Sequence, residues 1–459
     1  MEELNLMVQN VSGFVWNSLL IFLLVGTGLF YTVKLKFIQV RKFGEGYTKV
    51  VKGVNLNGEA AGADGMSSFQ SLATAVAAQV GTGNLAGAAT AIAAGGPGAI
   101  FWMWVSAFFG MATVYAEAVL GQVYKKKIGG EVIGGPAFYI SEGLGENWFS
   151  KTLAGFFGLS CILALSFMGN AVQSNSIAAA FSNELPIPPV FVGIFVAVVS
   201  GFIFWGGTQR IASFTEKIVP VMAGMYVGMS IIIVCLNITH IIPAIKMIFV
   251  GAFNPTAVMG GAFGITIKQA VRYGVARGLF SNEAGMGSTP HAHAVAKVDH
   301  PCEQGAVAII TVFIDTFVVL TCTALVIIMK VDLTNKAYMD SLPGIALTQE
   351  AFKLALGSMG GIFIAVCLFF FALSTIIGWY YFGVANVKYL FGNRAMNIYK
   401  IIVVCFILLG SMAKVDLVWN LSDLFNGLMA LPNLIALLVL YKLVVKATDE
   451  YRKFHPRKK

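Results

Sequence analysis

The chain has 459 residues, 57% of them hydrophobic and 12% charged, and its mean hydropathy is +0.78. Soluble domains carry about 25% charged residues, so the composition argues against a set of soluble domains and for one large membrane bundle. The net charge of +9 then reads as basic loops on the cytoplasmic side of a membrane, not as a nucleic-acid surface.

The opening stretch MEELNLMVQN is acidic and lacks a basic leader, so no cleaved signal peptide is expected. A span needs about 20 apolar residues. Eleven such segments occur in order, at 14–33, 69–94, 99–124, 152–181, 190–207, 218–237, 263–294, 304–329, 351–387, 397–413 and 417–441. Several exceed the thickness of a bilayer, which implies tilting or protrusion. The seventh is the least regular, because Lys268, Arg272 and Arg277 fall in its first half. An odd count puts the termini on opposite sides. With the N-terminus outside, most of the 31 Lys and Arg residues are cytoplasmic, including 34–52, Lys125 to Lys127, Arg210, Lys297, Arg394 and the tail RKFHPRKK. Lys246, Lys330, Lys336, Lys353 and Lys414 fall outside. This bias predicts a multi-pass protein of the cell membrane with a cytoplasmic C-terminus. The six cysteines lie mostly in apolar runs without CxxC spacing and read as small core residues.

Setting the first span aside leaves five and five, which divides the chain into 1–68 (span and basic loop), 69–237, 238–446 and a basic tail at 447–459. Each group of five opens on a flawed helix. The first carries QVGTGN at 79–84 and the second LFSNEAGMG at 279–287. Lipid-facing backbone must be fully hydrogen-bonded, so unwound chain is tolerated only where it lines a polar cavity. Gly-interrupted spans in corresponding halves are the sequence pointer to a transporter site. Close helix packing accounts for most of the 50 glycines. It accounts poorly for Gly81 and Gly83, beside Gln79, Thr82 and Asn84, and for the Ser281-Asn282-Glu283 run.

The stretch GGPGAIFWMWVSAFFG at 95–110 resembles the signature of the alanine or glycine:cation symporter family over its whole length. QVGTGN and SNEAGMGS are similar to that family as well, and the resemblance runs through essentially the entire chain. It implies an all-α polytopic membrane protein of the leucine-transporter fold, with a 5+5 inverted repeat preceded by one extra N-terminal span. The implied activity is sodium-coupled symport of small neutral amino acids, alanine and glycine, by alternating access. Serine and D-alanine are further candidates. Sodium would be the coupling ion, no organic cofactor is expected, and the protein would not be an enzyme. The 95–110 signature opens the third span and is expected to serve packing.

The residues needed for such a site are present. A zwitterion asks for N–H groups at its carboxylate and acceptors at its ammonium. The backbone amides of Thr82 and Gly83 suit the carboxylate, the role that the resemblance gives to this motif. Carbonyls near Ala78, Gln79 and Phe280, with the Ser281 hydroxyl, suit the ammonium; Gln79 is also able to reach the carboxylate. In the fourth span, SFMGNAVQSNS holds Asn170, Gln173 and Asn175; the resemblance gives this span a substrate contact, for which Asn170 is the candidate, the other reading being an interhelical hydrogen bond. In the ninth, Ser374 and Thr375 resemble the hydroxyl pair of a sodium site completed by carbonyls of Ala77, Val80 and Phe371. Hard oxygen ligands suit an alkali cation. Trp379, one turn after Thr375, is placed to cap the side-chain pocket, and with Phe371 and Ile376 it leaves little room beyond a methyl.

Intramembrane charges are costly and are functional candidates by default. Glu283 lies within the second break, positioned to hold the unwound geometry or to meet the ammonium. Asp315, with Asn84 and Ser281, is the candidate for a second sodium site. Glu117 is expected to pair with Arg272 or Arg277. His291 and His293 are two residues apart, on different faces of a helix, and are not expected to share a metal. A channel would show a selectivity-filter motif, and an enzyme would show convergent catalytic groups; neither pattern is present. The alternative is a proton-coupled carrier, with Asp315 or Glu283 holding the proton.

Overall fold

Both flawed helices start on the same local device. Ser67 accepts a hydrogen bond from the Gln70 amide at 3.1 Å while the Gln70 side chain accepts one from the Ser67 amide, also at 3.1 Å. Thr266 and Gln269 repeat this reciprocal cap two hundred residues later, at 3.3 and 2.8 Å. These capping boxes satisfy orphan N–H groups of the first turn and fix where each helix begins. The computed structural model describes residues 2–53, 65–259 and 265–454. The start of the seventh predicted span, 263–264, and the end of the basic tail, 455–459, lie outside the described residues.

The helices that frame the two breaks and the bundle are, in chain order, α1 (Glu2–Val15), α2 (Ile21–Lys34), α3 (Ser68–Gln79), α4 (Ala88–Gly95), α5 (Gly98–Val123), α6 (Trp148–Cys161), α7 (Asn170–Glu184), α8 (Pro189–Trp205) and α9 (Gly207–Leu236). They continue as α10 (Ile241–Phe253), α11 (Ile267–Asn282), α12 (Pro290–Ala294), α13 (Pro301–Val312), α14 (Thr321–Lys330), α15 (Ile345–Leu356), α16 (Met359–Phe391), α17 (Met396–Met412) and α18 (Val415–Phe454). Four predicted spans pass through wider π-helical turns, at Trp16–Leu20, Gly83–Gly87, Ile162–Gly169 and Phe313–Leu320. Among the described residues, seven helices, 98–123, 148–184, 207–236, 301–330, 359–391, 393–412 and 417–453, are long and apolar enough to cross a membrane. The protein is a multi-pass helical bundle.

α3 sits at its centre, and every residue from Phe69 to Gln79 is buried. Its run of small residues lets α16 approach closely: a Cβ on Gly378 would lie 3.0 Å from the Ala78 Cα. This is how membrane helices associate when burial alone offers no driving force. The 95–110 stretch packs as well. Trp102 Nε1 donates to the Ala252 carbonyl at 3.1 Å, and Trp104 Nε1 to Thr321 Oγ1 at 2.9 Å.

Four sequence expectations change. The helix α10 falls in a segment read as a connection, because its 13 residues are too few to span; it lies instead across α5. The ninth span begins at Met359, not 351, since Gly357 takes a φ of +73° and divides α15 from α16. The basic tail from 447 is not separate, because α18 stays helical to Phe454. The chain is also not wholly α. Strands β1 (Lys126–Ile128) and β2 (Glu131–Ile133) form a hairpin turning on Gly129 and Gly130, with φ of +62° and +84°. Two adjacent residues at positive φ are what a tight I′ turn demands, and glycine supplies them without strain.

Candidate substrate and ion site

The helix of α3 ends at Gln79, with the Val80 amide closing its last ladder bond to the Val76 carbonyl at 2.8 Å, and helical conformation resumes at Thr82, leaving the break at Val80 and Gly81. The second break is wider. α11 ends on Glu283 in the left-handed region at φ +57°, and Gly285 and Gly287 come next at +87° and +83°. The two breaks touch: a Cβ on Gly83 would lie 2.8 Å from the Ser281 Cα. Gln79 Nε2 ties them together by donating to the Asn282 carbonyl at 2.6 Å.

Around the first break five oxygens converge. Thr375 Oγ1 is 2.9 Å from the Ala77 carbonyl, 3.4 Å from that of Val80 and 3.1 Å from that of Phe371. Ser374 Oγ lies 3.3 Å from the Ala77 carbonyl and 2.8 Å from that of Phe371. The Phe371 contacts alone would be ordinary back-bonding within a helix. The Ala77 and Val80 contacts join two helices nearly three hundred residues apart in sequence, and helix back-bonding does not explain them. All five groups are buried. They are neutral hard oxygens, the donor set of an alkali cation. The Phe371 ring itself points elsewhere, edge-on to Tyr226 at 5.3 Å.

Buried polar atoms with no partner occur in the first break, at Gln79 Oε1 and Thr82 Oγ1, and on α7, at Ser174 Oγ and both amide atoms of Asn170. An unsatisfied buried polar group costs about 1–3 kcal/mol, and a concentration of them marks a place that a polar ligand completes. Gln173, one turn from Asn170, accepts from the Thr82 amide through Oε1 at 3.1 Å. Trp379 Nε1 donates to Glu283 Oε1, and Ser288 Oγ donates to Glu283 Oε2. Phe280 meets the Trp379 ring edge-on, 6.1 Å between centroids.

Asp315, Asn84 and Ser281 are also brought together. Asn84 Nδ2 donates to Asp315 Oδ1 at 2.7 Å, Ser281 Oγ lies 3.0 Å from both carboxylate oxygens, and Thr316 Oγ1 donates to Oδ2 at 2.8 Å. None of the ion pairs among the described residues includes Asp315, Glu283 or Glu117.

Glu117 does not pair with Arg272 or Arg277. It accepts from the backbone amides of Gly285 at 3.2 Å and Gly287 at 3.0 Å, and from Asn433 Nδ2 at 2.6 Å. Unwinding the second helix frees amides, and a buried carboxylate satisfies them better than a distant guanidinium would satisfy the carboxylate. Arg277 is taken by Asp423 in a two-pronged ion pair, with Trp419 5.3 Å beneath its guanidinium. The histidines have separate partners: His291 Nε2 lies 2.9 Å from Asn386 Nδ2, and His293 Nδ1 lies 2.8 Å from Gln304 Nε2. Among the described residues, no group of three or more His, Cys, Asp or Glu is arranged for a metal. Asn175 serves packing, donating to the Gly410 and Ala413 carbonyls at 2.9 Å each. Gln173 and Glu117 are thus the site residues whose roles sequence reasoning missed. The i, i+3 spacing of Asn170 and Gln173 was the available signal for the first.

The model of the sodium:alanine symporter family matches residues 1–459. The sodium/alanine symporter AgcS of Methanococcus maripaludis is 43% identical over 453 residues, covering 97% of this chain and 98% of that protein. The amino-acid carrier protein AlsT of Bacillus subtilis is 40% identical over 450 residues, covering 98% and 92%. The probable sodium/glutamine symporter GlnT of the same organism is 39% identical, covering 95% and 88%. Among solved structures, MhsT in complex with L-phenylalanine superposes with a TM-score of 0.56 at 14% identity, covering 81% of this chain and 88% of that one. At that identity the likeness concerns the fold, which is that of the leucine transporters.

Proposed function

Because the chain belongs to the sodium:alanine symporter family, whose members are transporters and not enzymes, we propose that it carries alanine across the cell membrane with sodium by alternating access. Sodium is the coupling ion of the family. The observation that carries the reading for this chain is the convergence of the Ala77, Val80 and Phe371 carbonyls with the Ser374 and Thr375 hydroxyls.

The mechanism is set by the groups that the break exposes. Sodium takes those five oxygens and draws the hydroxyl protons of Ser374 and Thr375 away from the carbonyls. The substrate carboxylate takes the amides of Thr82 and Gly83, displacing Gln173 Oε1, and Asn170 and Gln79 supply further polar contacts. Carbonyls of Ala78, Gln79 and Phe280 and the Ser281 hydroxyl receive the ammonium. Trp379 walls the side chain, with Glu283 holding the indole in place. Asn84, Ser281 and Asp315 form a second sodium site, where the buried carboxylate supplies the countercharge. Glycine, serine and D-alanine are small enough to share the pocket. Eleven spans arranged as one plus five plus five, with the N-terminus outside and the C-terminus cytoplasmic, agree with the Lys and Arg bias.

Binding of labelled alanine to purified protein at increasing sodium tests the ion assignment. Thr375→Ala removes one ligand of five, and the sodium concentration for half-maximal binding should rise by roughly 10-fold, equivalent to about 1.4 kcal/mol. Alanine affinity at saturating sodium should stay within a few-fold of wild type. An unchanged sodium requirement in Thr375→Ala would place the ion elsewhere.

A further inference from the structure

The indole of Trp379 is confined on three sides. Glu283 Oε1 accepts from its Nε1, Phe280 stands edge-on to it, and Gly169 lies against its benzo edge. A Cβ built on Gly169 would fall 2.6 Å from Trp379 Cζ3 and 2.7 Å from Cε3, and also 2.7 Å from the Ala164 carbonyl oxygen of its own π-helical segment. Any side chain at 169 must therefore push the ring or be pushed by it. Gly169 closes the π-helical segment Ile162–Gly169 and immediately precedes Asn170, whose amide is buried and unpartnered. A π turn carries one more residue than an α turn, which rotates the next residues by about 100° relative to a regular helix. That extra residue is what turns the bare face of Gly169 toward the indole.

We propose that Gly169 sets the depth of the Trp379 ring and thereby fixes the largest substrate side chain the protein accepts. The inference rests on the reading of Trp379 as the pocket wall. The ring is fixed at Nε1 by Glu283, so pressure on its opposite edge swings it away from α7 and toward the two breaks. A methyl at 169 then takes from the pocket about the volume that separates glycine from alanine. Gly169 acts through Trp379 and needs no contact with substrate; it is a positioning residue. The absence of a side chain at 169 is what makes room for one on the ligand.

The test is competition of unlabelled glycine, alanine and serine against labelled glycine uptake in proteoliposomes. It is run for wild type, Gly169→Ala, Trp379→Phe and the double variant. Gly169→Ala should weaken alanine relative to glycine by roughly 10-fold or more, the range for one misfitted methylene. Trp379→Phe removes the indole atoms that Gly169 meets and leaves the Ala164 carbonyl contact in place, so it should strengthen serine relative to glycine and restore alanine competition in the Gly169→Ala background to the extent that the ring carries the effect. A merely structural role for Gly169 would depress both amino acids equally, without rescue, and that result overturns the proposal. If Gly169→Ala does not reach the membrane, the double variant carries the test: an alanine-to-glycine ratio below that of Trp379→Phe alone by 10-fold overturns it. An unchanged ratio in Trp379→Phe itself would instead remove the tryptophan from the pocket wall, a failure of the underlying reading.

Discussion

Replacing Gly83 by valine should abolish uptake, by roughly 100-fold or more, while the protein still inserts into the membrane. The backbone at Gly83 has an ordinary helical conformation, so conformational freedom is not the issue. The constraint is contact. A Cβ there lies 2.8 Å from the Ser281 Cα, 3.1 Å from its Cβ and 3.3 Å from its amide nitrogen. These atoms belong mostly to backbone and cannot swing aside, so the two broken helices must separate. Separation displaces the Thr82 and Gly83 amides from the Phe280 carbonyl and Ser281 hydroxyl, the groups proposed above to receive the two ends of the zwitterion. An ångström of misplacement in a preorganised site costs about 100-fold. Gly87→Ala is the matched control, since its nearest neighbour is 3.8 Å away, and it should transport within about two-fold of wild type. Uptake of labelled alanine by both variants, normalised to protein in the membrane, decides the matter. Normal transport by Gly83→Val would mean that the breaks do not meet during the cycle.

Glu117→Ala should be the most destabilising single substitution in the second break. It leaves the Gly285 and Gly287 amides without their acceptor in a fully buried setting and takes one of the two acceptors of Asn433 Nδ2. Each stranded donor costs about 1–3 kcal/mol. Asn433 is itself held, since the Tyr139 hydroxyl donates to its Oδ1 and its Nδ2 also donates to the Gly285 carbonyl at 2.9 Å. The loss therefore spreads from α5 to α18. Glu117→Gln keeps one side-chain acceptor and should fall between alanine and wild type. Thermal unfolding in detergent, measured for the three proteins under one set of conditions, gives the order. Wild-type stability in Glu117→Ala would show that the amides of the second break find other partners.

The breaks were legible because helices rarely spend glycine, asparagine and glutamate in apolar surroundings without cause. Gly-Thr-Gly-Asn and Ser-Asn-Glu-Ala-Gly violate helix propensity where no connecting loop is needed. The hydroxyl pair at Ser374 and Thr375 carries no such signal; family resemblance singled out the pair together with the carbonyls of Ala77, Val80 and Phe371, and the packing of α16 against α3 brings these groups within 2.8–3.4 Å of one another. Glu117 was misjudged because sequence displays charges and hides freed backbone amides. Matching by sign offered Arg277, whose actual partner Asp423 stands 146 residues away. The helix α10 escaped because a 13-residue apolar run is shorter than any span. The hairpin at Lys126–Ile133 escaped for the opposite reason: its Gly-Gly turn was visible but was passed over within a chain read as helical.

The central claim is that neutral oxygens at the first break couple alanine movement to sodium. Uptake of labelled alanine into proteoliposomes measures it most directly, with an inward sodium gradient at equal pH compared against an inward proton gradient without sodium. Accumulation above equilibrium under the sodium gradient alone, with no response to the proton gradient, is the predicted result. Equal accumulation driven by protons in the absence of sodium would contradict it, and would move the coupling chemistry to Asp315 or Glu283.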